Sequence, residues 1–477
     1  MLGKKDRNEK LFYSINIDEL IPEDHLLRLI HKHVDLGFIR KKVTHLYSHT
    51  GRPSIDPESL LRMLLVGYLY GITSERRLCE EVKMHLGYRW FVGLSFDDKV
   101  PDHSTFSHNR HERFKESGLF QNIFDEIVAQ CMNRGLVRGT HLTVDAIHIK
   151  ANASTKSMEP VVVEMKPKEY IERLEEENKP WEPKDEYPHR GEKIGNSTHR
   201  SKTDPDARIA RKGAGAAQLS HSATYVIDNG SSIILGANVS KPDLGAEVAT
   251  ALSELLKMQW RLRLRPTSVG ADKGYSTGTF FHTLANIGIA PHVPVRDHRS
   301  RLDKGFSPIT EFTFNPEEDI FLCPQGNKLT YRGIHSRTLQ HIYRPGPADC
   351  KACPVKRACT PGRVRSVSYH IYEASIERAR QLTKTAGYRI SQRMRKRIEE
   401  LFGEAKEFMG LRRAKFRLRP FVHEQVLMTA AAQNMKRMVK LIDKRGRAGK
   451  ALCLQGFDYL FSLFITVKNS MNMARAC

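Results

Sequence analysis

The chain has 477 residues, of which 40% are hydrophobic, and its formal net charge is +23 at pH 7. It is too long for one compact core, so we expect about two to four domains. A positive charge this large costs self-repulsion in the folded state unless a polyanion offsets it. Clustering of the charge favours a nucleic-acid-binding protein over the alternative, a solvated basic surface.

The termini and the cysteines indicate a cytoplasmic, nucleoid-associated protein. Residues 1–10 are charged and lack the apolar segment of a secretory signal. The longest late apolar stretch, Tyr459–Val467, is far shorter than the roughly 20 residues of a membrane-spanning helix. Without an export signal, the eight cysteines are not expected to form disulfides.

Residues 1–135 are predicted to form a helical N-terminal DNA-binding domain. The clearest helix start is Asp56-Pro57, because a capping side chain followed by proline is typical of a helix N-terminus. Further helices are predicted over residues 74–86 and from Pro101. Short helices with tight connections suit a helix-turn-helix DNA reader, although an ordinary helical bundle shows the same periodicity.

Residues 136–300 are predicted to form the first part of the catalytic core, interrupted by a polar insertion over 155–215 that includes a charged helix at 170–178. Asn229-Gly230 between apolar β-formers indicates a hairpin. The predicted elements are a strand at 141–145, hairpin strands at 223–227 and 232–236, a helix at 246–260, a strand at 266–272, a helix at 280–287 and an edge strand at 292–295. This order predicts a mixed α/β sheet with helices on its faces.

Two aspartates, Asp145 and Asp272, are placed at the ends of predicted strands. Neighbouring strands lie only about 4.8 Å apart, so carboxylates at their ends can share cations. Two metal ions about 3.5–4 Å apart are a common solution for phosphodiester chemistry, and Mg²⁺ prefers carboxylate ligands. Each aspartate alone would more often be a turn former or a helix cap.

A third carboxylate, Glu399, lies on a helix predicted over 394–409. Arg395, Glu399 and Lys406 share one stripe beside the apolar face of that helix. A helix-borne metal ligand would have this setting. The alternative is a solvated intrahelical salt bridge between Arg395 and Glu399.

A Cys-rich insertion is predicted over residues 301–385, followed by core helices over 386–445 and a tail over 446–477. Its four thiols, which include a C-x2-C pair, suit tetrahedral zinc, although the other spacings are loose. Reduced, unliganded thiols are the alternative. The four residues are Cys323, Cys350, Cys353 and Cys359.

Basic residues after the Glu399 helix, among them Arg412 and Arg413, have few aromatic neighbours. That composition favours phosphate contacts with duplex DNA over stacking on single strands. The chain carries no phosphate-binding P-loop and no nucleophile–histidine motif, so we expect no nucleotide cofactor.

In the order of its motifs the chain resembles the DDE-family transposases of bacterial insertion sequences. One large branch of that family carries a Tyr-x2-Arg-x3-Glu-x6-Lys signature, which Arg395, Glu399 and Lys406 match, while Gln392 stands at the tyrosine position. Four further stretches also resemble the family, and the likeness spans about residues 10–440. They are Gly51-Arg52-Pro53 with the helices after it, residues 203–207, the Asp-Lys-Gly-Tyr at 272–275, and residues 402–414.

The resemblance implies an RNase H-like core in which Asp145, Asp272 and Glu399 hold two Mg²⁺ or Mn²⁺ ions. It also implies cleavage at the ends of the element and strand transfer into target DNA, with double-stranded DNA as the partner of a homo-oligomer. Arg395 and Lys406 would contact the DNA backbone. The alternatives are an RNase H-like nuclease without strand transfer, a catalytically silent DNA-binding derivative, and a zinc-dependent structural protein.

Overall fold

The computed structural model describes residues 14–51, 54–114, 117–161, 195–211, 215–296, 305–336 and 338–444. The predicted helix at 170–178, residues 52–53 and the tail over 446–477 lie outside these ranges. No helix within the described ranges is long and apolar enough to cross a membrane.

The described N-terminal region is helical, as predicted. Asp56 caps its longest early helix by accepting a hydrogen bond from the Glu58 amide at 3.2 Å. The helix predicted over 74–86 is divided instead, because the chain turns at His85 and begins again. The helices are α1 (Ile17–Leu20), α2 (Leu26–His33), α3 (Phe38–Val43), α4 (Pro57–Leu69), α5 (Glu75–Met84), α6 (Leu86–Val92), α7 (His103–His108) and α8 (Leu119–Asn133).

The central sheet has the mixed order of an RNase H-like core. Strands β1, β5 and β6 run antiparallel in the order β6-β5-β1, and β7 and β8 then add parallel to β1. A short strand, β4, pairs with the start of β5, and β2 and β3 form a separate ribbon. The strands are β1 (His141–Lys150), β2 (Met158–Pro160), β3 (His199–Ser201), β4 (Arg208–Ala210), β5 (Gln218–Asp228), β6 (Ile234–Ser240), β7 (Ser268–Gly270) and β8 (Ala290–His292).

Helices α9 (Leu244–Arg261) and α10 (Gly278–Asn286) connect β6 to β7 and β7 to β8. Both helices were predicted. An edge strand is present, but β8 spans Ala290–His292 and not the predicted 292–295, so Pro294, which suggested an edge position, lies after the strand. The hairpin between β5 and β6 is also confirmed, but its loop is wider than the Asn-Gly pair suggests. Pairing resumes only at Ile227 and Ile234, because the Asp228 carboxylate accepts hydrogen bonds within the loop.

The strand predicted to end at Asp145 continues to Lys150, so Asp145 lies within β1 and not at its end. The prediction of the strand end was wrong because the continuation depends on a distant partner. The second half of β1 pairs along its whole length with β5, as far as the pair Lys150 and Ser220. Ile147 and Ile149 are buried there.

The helix predicted over 394–409 is confirmed as α15 (Lys396–Phe408), and a separate helix, α14 (Ala386–Met394), precedes it with Arg395 between them. The predicted apolar face of α15 is confirmed. Its members are buried against the sheet, and the Phe402 ring stacks on Tyr225 of β5 at 4.8 Å between centroids. Helix α13 (Glu373–Leu382) precedes this pair, and residues 419–444 form a further helix, α16.

The chain after α15 returns to the central sheet. The Lys150 amide donates to the Arg412 carbonyl at 3.2 Å, and the Ala414 amide donates to the Lys150 carbonyl at 2.8 Å. One continuous apolar core then joins the N-terminal helices, both faces of the central sheet, α15 and α16.

The Cys-rich segment forms a second sheet with its own small core. The five strands are antiparallel in the order β13-β12-β11-β10-β9, and the side chains of Phe321, Leu329 and Tyr343 are buried between them. The elements are β9 (Thr313–Asn315), β10 (Ile320–Leu322), β11 (Lys328–His335), β12 (Gln340–Arg344), α11 (Pro347–Lys351), α12 (Lys356–Cys359) and β13 (Val367–His370).

Candidate active site

Asp145 and Asp272 belong to two neighbouring parallel strands. The last register pair of β1 and β7 is Thr143 with Gly270, and each aspartate follows its member of that pair by two residues. Paired positions on adjacent strands are about 4.8 Å apart. The two aspartates therefore lie at the same level of this strand pair, Asp145 within β1 and Asp272 just past the end of β7.

Asp272 caps a short 3-10 turn, Lys273–Tyr275. One carboxylate oxygen, Oδ1, accepts a hydrogen bond from the Gly274 amide at 2.8 Å. That bond fixes the side chain at the end of β7. The turn-capping use of Asp272 and a ligand role are compatible, because the bond occupies only one oxygen.

Glu399 approaches Asp145 through Arg395. The Arg395 guanidinium lies 3.3 Å from Oδ2 of Asp145 through Nη1 and 3.1 Å from Oε1 of Glu399 through Nη2. The intrahelical salt bridge considered as an alternative is therefore present, and the same arginine also reaches the sheet. The side chain of Asp145 is 16% exposed and that of Glu399 is 54% exposed, so the pair opens to solvent on the α15 side.

Two further residues lie beside these carboxylates and escaped the sequence analysis. Burial raises the pKa of the Tyr275 phenol well above its ordinary value. The negative charges of Asp145, Glu247 and Asp272 raise it further. The phenol oxygen is buried and lacks a hydrogen-bond partner among the described residues. The Asp-Lys-Gly-Tyr motif was a signal for Tyr275, whereas nothing in the sequence marked Glu247.

Glu247, in the first turn of α9, holds that helix to the sheet. Its Oε1 accepts a hydrogen bond from Ser222 Oγ at 2.6 Å and lies 3.3 Å from Nε2 of His148. His148 is thus a half-buried histidine on the face of the sheet.

The donor set near Asp145 is all oxygen, which suits Mg²⁺ or Mn²⁺. At present the Arg395 guanidinium compensates the charge of Asp145 and Glu399. Within the described part of the chain, no group of three or more His, Cys, Asp or Glu side chains is arranged to hold a metal ion. The residue chemistry therefore fits divalent cations, and binding them requires the side chains to turn away from Arg395.

The basic residues expected to bind DNA lie along α15 and the segment after it. Lys406 is half-buried on the last turns of α15, and Arg412 pairs with Glu407 at the surface. Arg413 is exposed and donates to Oδ1 of Asn152 at 3.3 Å. Lys406 lies seven residues after Glu399 on α15, and Arg412 and Arg413 lie in the segment that follows the helix.

The four cysteines of the second sheet line one cavity of about 260 Å³ and are free thiols. Burial raises the pKa of the Cys350 thiol, and the nearby thiols of Cys353 and Cys323 raise it further. The pKa of the Cys359 thiol is raised by burial and by the same neighbours. The structure therefore brings together four residues that are up to 36 positions apart, although they are not arranged as a finished metal site.

Comparison with known proteins identifies two segments of the chain. Residues 15–112 match the model of a transposase domain, DUF772, and residues 322–439 match the model of a transposase DDE domain. The second match includes Glu399 and the cysteines but neither Asp145 nor Asp272. No curated protein matches the chain in sequence.

Among solved structures, the piggyBac transposase in its synaptic complex with hairpin DNA is similar at 10% identity and a TM-score of 0.30. The alignment covers 87% of this chain and 78% of that one. A TM-score this low supports no inference about this chain. The two domain matches lie in the order and places that the sequence motifs indicated. They support the assignment of this chain as a DDE-family DNA transposase.

Proposed function

We propose that this transposase cleaves and joins DNA at a centre of divalent cations held by Asp145, Asp272 and Glu399. The main support is geometric. Asp145 and Asp272 stand at the same level of neighbouring parallel strands, and one guanidinium contacts both Asp145 and Glu399. These residues come from three distant parts of the chain.

The cations, Mg²⁺ or Mn²⁺, would activate water or a 3′-hydroxyl and stabilise the leaving oxygen of the phosphodiester. The protein contributes fixed positions: β1 and β7 hold the two aspartates, and α15 holds the glutamate. Arg395 keeps the carboxylates together while they are unliganded. Once freed, its guanidinium lies within reach of a phosphate oxygen in the same pocket.

Glu399→Gln tests the assignment, with Glu400→Gln as the matched control. Both substitutions remove one exposed charge from α15, but only Glu399 contacts Arg395 beside Asp145. We expect Glu399→Gln to abolish cleavage of DNA carrying the element's ends and Glu400→Gln to leave cleavage within about twofold, as for a surface change. Asp145→Asn and Asp272→Asn should behave like Glu399→Gln. Retained cleavage in any of the three would contradict the proposed centre.

Double-stranded DNA, both the terminal inverted repeats and the target, would be bound by the basic side of α15 and the turn after it. Arg395, Lys406, Arg412 and Arg413 are the residues proposed for this contact. Binding should weaken steeply with salt, and each phosphate contact removed should lower the slope of log K against log salt by about 0.9. Gel shifts of Arg413→Gln at several salt concentrations measure that slope, with Asp145→Asn expected to bind as the wild type does.

Strand transfer separates the proposal from a simple nuclease of the same fold. Incubation of pre-cleaved element ends with a target plasmid should yield joined products in Mg²⁺ or Mn²⁺. Cleavage without joined products would favour the nuclease. Formation of the joined product by a homo-oligomer on paired ends is part of the proposal, and cross-linking in the presence of DNA would detect it.

For the second sheet we propose a structural zinc ion held by Cys323, Cys350, Cys353 and Cys359. Their convergence on one cavity and their thiol chemistry support this site. Wild-type protein purified without chelator should contain about one zinc per chain. Cys350→Ser should lose the zinc and become protease-sensitive near residues 300–380, whereas Cys79→Ser should retain it. Substoichiometric zinc in a protease-resistant wild type would mean that the thiols are unliganded.

A further inference from the structure

The residue at the tyrosine position of the family signature, Gln392, contacts the sheet directly beside Asp272. Its side-chain amide donates to the carbonyl of His292 at 2.6 Å and to that of Ala271 at 3.3 Å. His292 is the last residue of β8, and Ala271 immediately precedes Asp272. The Ala271 amide in turn donates to the His292 carbonyl at 3.4 Å. One side chain thus joins the ends of two strands at the point where the Asp272 turn begins.

The helix that carries Gln392 is packed unusually close to the sheet. A Cβ atom on Gly270 would lie 2.7 Å from Oγ of Ser391, so a larger residue at position 270 would require the Ser391 side chain to shift. Ser391 is 1% exposed, and Gly387 on the preceding turn faces the His292 ring. The position of α14 is therefore fixed against the ends of β7 and β8 on its whole inner side.

The other end of α14 leads directly to the remaining carboxylate. α14 ends at Met394, Arg395 is the joint, and Glu399 lies in the first turn of α15. Gln392 is seven residues before Glu399, whereas the carbonyl it contacts is adjacent to Asp272. A displacement of α14 would therefore change the separation between Asp272 and Glu399.

We propose that Gln392 is a positioning residue that sets the distance between the Asp272 turn and the Glu399 helix. The inference rests on the proposed centre of Asp145, Asp272 and Glu399, and it gives a role to the residue that departs from the signature. The amide group, with two N–H donors, can serve two carbonyls at once. A tyrosine hydroxyl has one donor and could serve only one.

The test uses the full-length protein with Gln392→Met, which keeps the length of the side chain and removes both donors. Loss of such outer contacts to ligand-bearing segments typically costs about 10–100-fold in cation affinity or activity. We expect the Mn²⁺ concentration for half-maximal cleavage to rise about tenfold, with a lower rate at saturation. Binding to element-end DNA without metal should be unchanged. Gln381→Met is the matched control, because that amide is on the exposed surface of α13 and donates to Glu377.

Gln392→Lys is the rescue variant, because an ammonium group keeps three donors at a similar reach. It should move the half-maximal Mn²⁺ concentration back toward that of the wild type. If Gln392→Met loses activity only in proportion to its folded fraction, with the Mn²⁺ dependence unchanged, Gln392 is merely structural and the inference is overturned. An unchanged Mn²⁺ dependence at full activity also overturns it.

Asp145→Asn, measured in parallel, keeps the two proposals apart. If Asp145→Asn still cleaves, the proposed centre itself is wrong. If Asp145→Asn is inactive and Gln392→Met matches the wild type, only the positioning role fails. If Gln392→Met does not fold, Mn²⁺ affinity is measured by calorimetry on the Gln392→Lys and Gln392→Leu variants. The inference requires the affinity of Gln392→Lys to be near that of the wild type and the affinity of Gln392→Leu to be weaker.

Discussion

Arg110 joins the N-terminal helices to α16 through a buried ion pair. Its Nε lies 2.9 Å from Oε1 of Glu424, and both side chains are 5% exposed. Its Nη2 lies 2.8 Å from Oε1 of Glu75, which is 25% exposed. The guanidinium also lies over the Phe416 ring, 4.2 Å from the centroid. Arg110 therefore pairs directly with a carboxylate from each side of this interface.

Substitution of Arg110 by methionine should destabilise the protein strongly. Methionine keeps much of the apolar contact but leaves Glu424 buried without its ion pair, which typically costs about 3–5 kcal/mol. The half-exposed Glu75 adds less, about 1 kcal/mol at most. The matched control is Arg77→Met, whose arginine side chain is 70% exposed and pairs with Glu81 on the same helix. That change should cost about 0.5 kcal/mol or less.

The effect should depend on pH in a defined direction. Burial already raises the pKa of Glu424, and Arg110 opposes that rise. Without Arg110 the folded-state pKa rises further above the unfolded value. The folded variant then binds a proton that the unfolded chain releases. The loss of unfolding free energy relative to the wild type is therefore full above the raised pKa and becomes smaller as the pH falls through it.

Urea unfolding followed by circular dichroism at pH 7.5 and pH 5 measures these differences. Arg110→Met with Glu424→Gln removes the stranded charge and should recover more than half of the loss. The reasoning is refuted if the double variant is as unstable as the single one at both pH values. In that case the loss would come from packing against Phe416 and not from the unpaired carboxylate.

Three further outcomes follow from the contacts described. Gly71→Ala should destabilise the protein by about 2 kcal/mol or more. Gly71 has φ +67°, and a Cβ atom there would lie 2.3 Å from the Phe408 carbonyl oxygen. Thermal melts would measure the loss against Gly51→Ala as the control, because a Cβ atom on Gly51 meets no atom within 4 Å. Burial lowers the pKa of Lys415 to about 8. The cost of burying the charged amine is therefore full below that pH, and it is relieved as the pH rises toward the pKa of the unfolded chain. The difference in unfolding free energy between wild type and Lys415→Met should change between pH 7 and 10, and a constant difference would contradict the lowered pKa. Asp204→Asn should destabilise the protein by about 2–4 kcal/mol, because Asp204 is fully buried and its carboxylate lies 2.9 Å from Nε2 of His221. An unfolding free energy within about 0.5 kcal/mol of the wild type would show that the pair adds no stability.

The elements that sequence predicted well are those defined by local signals. The Asp56 cap, the helix over 246–260 and the strand before Asp272 depend on neighbouring residues and on short apolar periods. The family signature was also local, and its spacing is what led to Glu399 as the proposed third carboxylate.

The features that sequence missed depend on partners far along the chain. Asp145 lies within a strand because β5 pairs with residues 145–150, and those pairing partners are some seventy or more residues away. Arg395 reaches Asp145 across 250 positions, so no spacing rule could show that one arginine contacts two carboxylates. No local pattern in the sequence indicated Glu247 either, because its partners Ser222 and His148 are distant in the chain.

The wide separation of Asp145 and Glu399 in the sequence determines when the proposed centre can become complete during synthesis of the chain. Arg395 is 250 residues later than Asp145, which corresponds to about 12–50 s of translation at typical ribosomal rates. During that interval the nascent chain can form β1, β5 and β7 but has neither α15 nor the 412–414 segment that pairs with Lys150. A ribosome that stops before α15 therefore releases a polypeptide without the proposed third carboxylate, and only translation beyond Glu399 supplies all three residues of the proposed centre.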